Sequence, residues 1–327
     1  MSGGDARAEA LWYVGPIRAE IRLERLNPLA EGMVRVRALY GAISRGTEAL
    51  IAAGKVPPSE YERMRGPSMG GTFPFPVKYG YATVGRIEAG PNALIGLTVF
   101  ALHPHQTLFD VPADSVVAVP DDVPRPRAAM AANMETALNA LWDVDPISPG
   151  PIAVVGAGVV GALVGFLSAR VPGVEVTLID INPAREELAR ALGLRFAKPD
   201  NAPADCKLVV HTSADPRGLA TAINIAGDEG TILEMSWYGE GTVPVPLGGA
   251  FHSRRLKIVS SQVGKVAPSR RATTSHRQRL EQAIELLADA RLDALLMPAV
   301  PFPELPRRLP DILNGQNGVL CQLIEYP

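Results

Sequence analysis

Residues 152–180 read IAVVGAGVVGALVGFLSARVPGVEVTLID, and this stretch decides the fold. Ile152–Val155 is a short apolar run of strand composition that stops at glycine. Gly156, Gly158 and Gly161 complete a G-x-G-x-x-G turn around Val159 and Val160. The residues that follow are mostly apolar and meet no breaker before Pro172, which suits a buried helix. A second β-branched run, Val174–Ile179, ends on Asp180, nineteen residues beyond Gly161. Strand, tight turn, helix, strand and a terminal acid form the arrangement that clasps a dinucleotide.

Each part has a physical task. Gly156 permits the sharp turn, Gly158 removes the side chain where backbone meets pyrophosphate, and Gly161 lets the helix pack against the strand. The N–H groups of the helix start, at Val159 and Val160, face the phosphates together with the positive end of the helix dipole. Asp180 accepts hydrogen bonds from ribose hydroxyls, and its charge repels a 2′-phosphate, so NAD(H) is the expected cofactor. Arg185 lies close enough in sequence to receive such a phosphate and keeps NADP(H) open.

The whole chain has 327 residues, 47% hydrophobic and 20% charged, with a net charge of −2. That length suits two domains, and the balance is that of an ordinary globular protein. No basic excess points to nucleic acid or to an acidic membrane surface. The opening MSGGDARAEA lacks the basic-then-apolar pattern of a signal peptide, and no apolar stretch reaches membrane length, so the expectation is a cytoplasmic protein. With only Cys206 and Cys321 present, a disulfide framework and a four-cysteine zinc site are both excluded.

Up to about Pro120, short strand-like runs recur between Gly, Pro and Asn turns: Ala10–Val14, Ile17–Leu23, Met33–Tyr40, Ala82–Glu88, Thr98–Leu102 and Ser115–Val119. That rhythm predicts a compact all-β barrel or sandwich. Within it, residues 54–78 read as a surface loop or lid anchored by Tyr61, Met64, Phe73 and Phe75. Ala128–Asp143 has helical composition. After Asp180, helices at Pro183–Leu192 and Pro216–Ala226 alternate with strands at Leu208–His211, Thr231–Met235 and Lys257–Ser260. Such alternation means a doubly wound parallel sheet, an α/β Rossmann domain. Beyond Val263 the alternation ends, leaving one amphipathic helix, Thr274–Leu292, and a Pro-rich tail.

A β-rich first half, a central GAGVVG unit with Asp180 and a short C-terminal return resemble the medium-chain dehydrogenase/reductases. Ile43-Ser-Arg-Gly-Thr-Glu48, Val77–Gly85 and Met134–Ala140 support the resemblance, which spans nearly the whole chain. It implies a GroES-like β-rich catalytic domain from residues 1–132 and 263–327 around a Rossmann domain of residues 133–262. It also implies a homodimer formed through the edge of the cofactor-domain sheet.

The departures from the family carry the chemistry. Zinc alcohol dehydrogenases have a cysteine before a Thr/Ser-Asp pair, where this chain has Ser44 before Thr47-Glu48. They have Gly-His-Glu where it has Gly80-Tyr81-Ala82, and a third ligand near Ala132. Zinc needs three protein donors, so the resemblance is to a zinc-free branch, and no metal site is expected. The S-x-G-T-E signature is similar to that of bacteriochlorophyllide-type dehydrogenases. His103-Pro-His105 is the only close histidine pair and is expected to be structural.

Without zinc, a hydroxyl must serve the carbonyl oxygen. Tyr81 is the first candidate, then Thr47 and Ser44, with Lys78 near enough in sequence to lower a phenol pKa. His252 is a further acid/base candidate. Glu48 is expected to brace its loop, with Arg45 as partner. Asn133 and Thr136 are expected near the nicotinamide, Asn133 either as a contact or as a helix cap. Ser213 and Ser236 follow cofactor-domain strands and are expected at the cofactor. Tyr79, Trp237 and Gln262 are the substrate-side candidates, though Trp237 and Tyr238 serve equally as packing. Arg254 and Arg255 either bind an anionic group or form a solvated pair. The preferred function is NAD(H)-dependent, zinc-independent alcohol/carbonyl oxidoreduction on a polar small molecule, sugar- or cyclitol-like. NADPH-dependent enone or quinone reduction and non-catalytic nucleotide binding are the alternatives.

Overall fold

The computed structural model describes residues 6–315 and 318–327, and contacts divide the chain into two compact units. One comprises Met1–Ala132, Ile284–Ala288 and Leu296–Pro327; the other comprises Asn133–Ala283 and Asp289–Leu295. Residues 263–283 therefore pack with the second unit, and the return to the first comes at Ile284.

In the second unit the described strands form a six-stranded sheet in the order Arg195–Ala197, Val174–Ile179, Gly150–Val155, Cys206–His211, Ala226–Glu234 and Lys257–Ser260. Every neighbouring pair is parallel. The order doubles back at Gly150–Val155, so the crevice beyond the ends of Val155 and His211 is the switch point where doubly wound sheets bind ligands. Register sets Ile179, Val155, His211, Glu234 and Ser260 side by side across these carboxyl ends. The helix Val159–Ser168 is buried from Gly161 onward, because it is apolar on every face. Ala153, Val209 and Ile232 share a second buried cluster with Leu219 and Ile223 of the helix Pro216–Ile225. Burial of each larger side chain contributes about 1.5–3 kcal/mol.

Two helices differ from expectation. Ala128–Asp143 separates into Arg125–Ala128 and Ala131–Asp143. Thr274–Leu292 is helical only over His276–Glu285, followed by 3-10 turns at Leu286–Ala288 and Ala290–Leu295. Asp289 stops the helix: its carboxylate accepts the Arg291 backbone N–H at 3.0 Å and the Arg291 guanidinium at 2.7 Å.

The first unit holds a seven-stranded sheet and a four-stranded one. Arg7–Gly15 and Arg18–Arg25 form an antiparallel hairpin. The expected Pro-rich tail is ordered structure: Leu296–Pro301, the helix Leu305–Leu313 and Cys321–Glu325, which pairs with Met33–Ile43. The expected strand Ser115–Val119 shrinks to Val117–Ala118 after the 3-10 turn Ala113–Ser115, and the added strand Leu108–Pro112 pairs with Met33–Ile43. Residues 54–78 contain the short strands Gly70–Gly71 and Val77–Lys78, and Phe73 packs between Tyr61 and Tyr79 at 5.6 and 6.1 Å. Cys206 and Cys321 are both buried and unbonded. Among the described residues no helix is long and apolar enough to cross a membrane.

Candidate active site

The glycine turn of the second unit is a cradle. Gly156 sits at φ +106°, and a Cβ there would lie 2.7 Å from the Ser213 nitrogen. A Cβ on Gly161 would lie 2.0 Å from the Gly156 carbonyl oxygen, so only glycine lets the helix start so close to the strand. A Cβ on Gly158 meets nothing within 4 Å. The middle glycine thus faces open space, as a backbone that must receive a diphosphate requires, and the residues fit a dinucleotide. Asp180 ties the turn down: Oδ2 accepts the Ala157 N–H and Oδ1 accepts the Asn182 N–H, both at 2.8 Å. Val159 and Val160 open the helix, and Arg185, partly exposed, opens the helix Arg185–Ala191.

Beside the cradle lies a cluster the sequence reading did not anticipate. His211 is fully buried. Its Nδ1 is 2.8 Å from Glu234 Oε2 and its Nε2 is 2.7 Å from Ser213 Oγ. Glu234 also accepts the Ser236 N–H at 2.7 Å and the Tyr238 hydroxyl at 3.3 Å. Burial raises its pKa, but His211 and Ser236 outweigh that and hold the carboxyl below its ordinary range. Ser236 Oγ accepts the Ala214 N–H at 3.1 Å. Tyr238 thus holds Glu234 rather than only packing, and Trp237 is partly buried.

The remaining candidates of this unit are dispersed. Asn133 is buried and Thr136 partly exposed, both on the helix Ala131–Asp143. Gln262 is exposed and accepts the Gly264 N–H at 2.6 Å, and His252 is exposed on the four-residue helix Ala250–Ser253. Neither is held toward the cradle by a polar contact. Arg254 donates to the Ala226 carbonyl at 2.7 Å, a structural role, while Arg255 stands 3.7 Å from Glu229 at the surface. Arg279, fully buried, donates to Glu135 at 3.0 Å and to the Val263 carbonyl at 2.6 Å. It hides in a helix that reads as solvent-facing, so nothing local reveals it.

The first unit brings Ser44, Thr47 and Tyr81 together, the two hydroxyls near enough to the phenol to oppose the rise of its pKa. Ser44 stands at the N-cap position of the helix Arg45–Ala52, which places Thr47 one turn on. Burial pushes the Tyr81 phenol up to about 12, the two hydroxyls opposing that shift. Tyr79 is buried and edge-on to Tyr81, ring centroids 5.9 Å apart. Lys78 does not serve the phenol: its Nζ donates to Glu24 at 2.7 Å and Gln106 at 2.8 Å. Glu48 does not pair with Arg45. It is sealed beneath the cluster, accepting from Tyr13 at 2.7 Å and the Ser44 N–H at 2.8 Å, with His105 Nε2 at 3.0 Å. Gly80, at φ +126°, makes room for that imidazole, since a Cβ there would lie 2.8 Å from it. His103 stacks on Phe109 at 3.8 Å with Nδ1 on the Pro104 carbonyl, and burial drives its pKa down to about 3. Ser44, Tyr81 and Ala132 do not make a zinc ligand set, and among the described residues no three His, Cys, Asp or Glu side chains group as a metal site.

No family model matches the sequence. The chain is 23% identical over 246 residues, 70% of its length and 68% of the relative's, to an uncharacterized zinc-type alcohol dehydrogenase-like protein of Haemophilus influenzae. It is 27% identical over 247 residues, 71% and 73% of the two chains, to the 2-desacetyl-2-hydroxyethyl bacteriochlorophyllide A dehydrogenase of Rhodobacter capsulatus. Its fold matches the L-idonate 5-dehydrogenase structure of Escherichia coli with a TM-score of 0.80 at 13% identity, covering 99% of each chain. An Escherichia coli alcohol dehydrogenase solved with NADH matches at 0.77 and 17% identity, covering 98% and 99%. The relatives are alcohol dehydrogenase-like dehydrogenases, and the structural neighbours share the fold of this chain over nearly its whole length.

Proposed function

We propose that the protein is an NAD(H)-dependent dehydrogenase/reductase that interconverts an alcohol and a carbonyl without zinc. The observation that carries this reading is the Tyr81 phenol beside the Ser44 and Thr47 hydroxyls, at the position where zinc relatives carry a histidine ligand. A nicotinamide cofactor, when bound, supplies or accepts the hydride. Gly156, Gly158 and Gly161 receive its diphosphate, Asp180 its ribose, and Ser213, Ser236 and Thr136 border it. A phenol raised to about 12 stays protonated at neutral pH, so Tyr81 donates a hydrogen bond, and finally its proton, to the oxygen of a carbonyl undergoing reduction. Ser44 and Thr47 then relay a proton from water to the phenolate, each ending as a neutral hydroxyl with hydroxide left in solvent. In oxidation the same chain runs backward.

Hydroxyl donors rather than a Lewis acid suit a polar, oxygenated substrate of sugar or cyclitol type. The strand Lys257–Ser260, an open sheet edge with Ile258 exposed, is the proposed homodimer contact. NADH and NADPH binding followed by fluorescence, with metal content measured on the same sample, tests the reading. Stoichiometric zinc that is needed for turnover, or binding of neither nucleotide, overturns it.

A further inference from the structure

Glu234, His211 and Ser213 are arranged as an acid, a base and a nucleophile. His211 Nδ1 lies 2.8 Å from Glu234 Oε2, and His211 Nε2 lies 2.7 Å from Ser213 Oγ. Glu234 accepts two further contacts: the Ser236 N–H and the Tyr238 hydroxyl. A carboxylate so supplied with donors is ionised, and it fixes the histidine proton on Nδ1. Nε2 is then left as an acceptor, and the hydroxyl hydrogen of Ser213 is what fills it. The imidazole is buried while Ser213 is exposed, so the relay runs from the interior to a reachable oxygen. The Asp215 N–H, 3.3 Å from Ser213 Oγ, is placed to stabilise that oxygen as it loses its proton.

The backbone is shaped around this contact. Gly218, in the first turn of the helix Pro216–Ile225, could carry no side chain: a Cβ would stand 2.3 Å from Ser213 Oγ and 2.8 Å from His211 Nε2. None of these atoms takes part in the carbonyl chemistry assigned to Tyr81, and the glycine cradle does not require a histidine–carboxylate pair. Nucleophile and base in hydrogen-bond reach, with the base oriented by a third group, is the geometry that activates a serine.

We infer that Ser213 is an activated nucleophile, acylated by small activated esters. In that step Oγ attacks the ester carbonyl carbon and its proton passes to His211 Nε2. The bond to the leaving alkoxide breaks, the alkoxide takes that proton, and an ester on Ser213 remains. The histidine is neutral again at the end, so no co-reactant is consumed.

The test treats the purified full-length chain with p-nitrophenyl acetate and locates the acetyl group by mass spectrometry of the tryptic peptide Leu208–Arg217. The expected result is acetylation at Ser213. It is absent in S213A and about 10²-fold slower in H211Q, the usual worth of a positioned general base. H211Q alters a buried residue. E234Q and G218A, which act at partly exposed positions, therefore serve as independent arms, and both slow acetylation. An unmodified Ser213 in the native chain overturns the inference, and so does a folded H211Q, E234Q or G218A protein acetylated at the native rate.

Discussion

Among the described residues there are two carboxylate–histidine pairs, one in each unit, and they differ in what lies at the far nitrogen. In the first unit Glu48 and His105 are both wholly enclosed, and Nδ1 of His105 meets no partner among the described residues. In the second, His211 is enclosed but its far nitrogen bonds an exposed serine. A sealed pair can only hold its surroundings together, whereas a pair with one end at solvent can pass a proton. Identical side chains thus divide into scaffold and reagent by burial alone.

Removing the carboxylates breaks the comparison most severely. Glu48→Ala strands His105 and Tyr13 in an apolar interior, and loss of one partner from a buried pair costs about 3–5 kcal/mol. Glu234→Ala, at a partly exposed side chain, is expected to cost less than half of that. Urea unfolding of the two variants measures both. Equal losses would mean that enclosure does not separate the pairs. Next in size, Tyr81→Phe removes the donor above Glu48 but leaves the sealed pair intact. A fall in kcat/KM of about 10²-fold or more, as for removal of an oxyanion-stabilising donor, is expected with native unfolding behaviour and native NADH affinity. A destabilised Tyr81→Phe protein would instead place the phenol in the scaffold.

Asp180 is a third carboxylate, held by two backbone N–H groups and by no histidine. Asp180→Ser removes charged acceptors worth about 1.5–3 kcal/mol, so NADH affinity is expected to fall by about tenfold or more. NADPH affinity should hold or rise as the repulsion disappears, and parallel titrations of the two nucleotides decide between this and a general loss of the turn.

The cradle was legible in the sequence because each glycine answers a local demand within one strand–turn–helix unit. Asp180 was legible for the same reason. The Ser44, Thr47 and Tyr81 grouping was legible only through family resemblance, since thirty-odd residues of chain separate the hydroxyls from the phenol. Neither histidine pair could be read that way: 57 residues separate Glu48 from His105 and 23 separate His211 from Glu234. One signal existed for the latter. A histidine and a glutamate end consecutive parallel strands, and register in such a sheet brings strand ends together. Arg279 left no signal, because a buried arginine on a polar helix looks like a solvated one.

Acid sharpens the contrast between the units, with the smallest effect. His103 in the first unit has its pKa lowered by burial from 6.5 to about 3. It takes a proton more readily unfolded than folded, so its contribution is complete above 6.5 and declines as pH falls toward 3. Glu48, held below its ordinary 4.5 despite burial, adds a further loss once pH drops beneath that value. In the second unit Glu135 has its pKa raised by burial, with Arg279 opposing, so protonation there favours the folded state as pH falls. At one pH unit below the His103 reference value the first unit should be weaker by about 1.4 kcal/mol, with the second nearly unchanged. Hydrogen exchange resolved by peptide at about pH 5.5 and about pH 7.5 reads each unit separately. Equal acid loosening of both units would show that His103 is not what sets the acid response of the first.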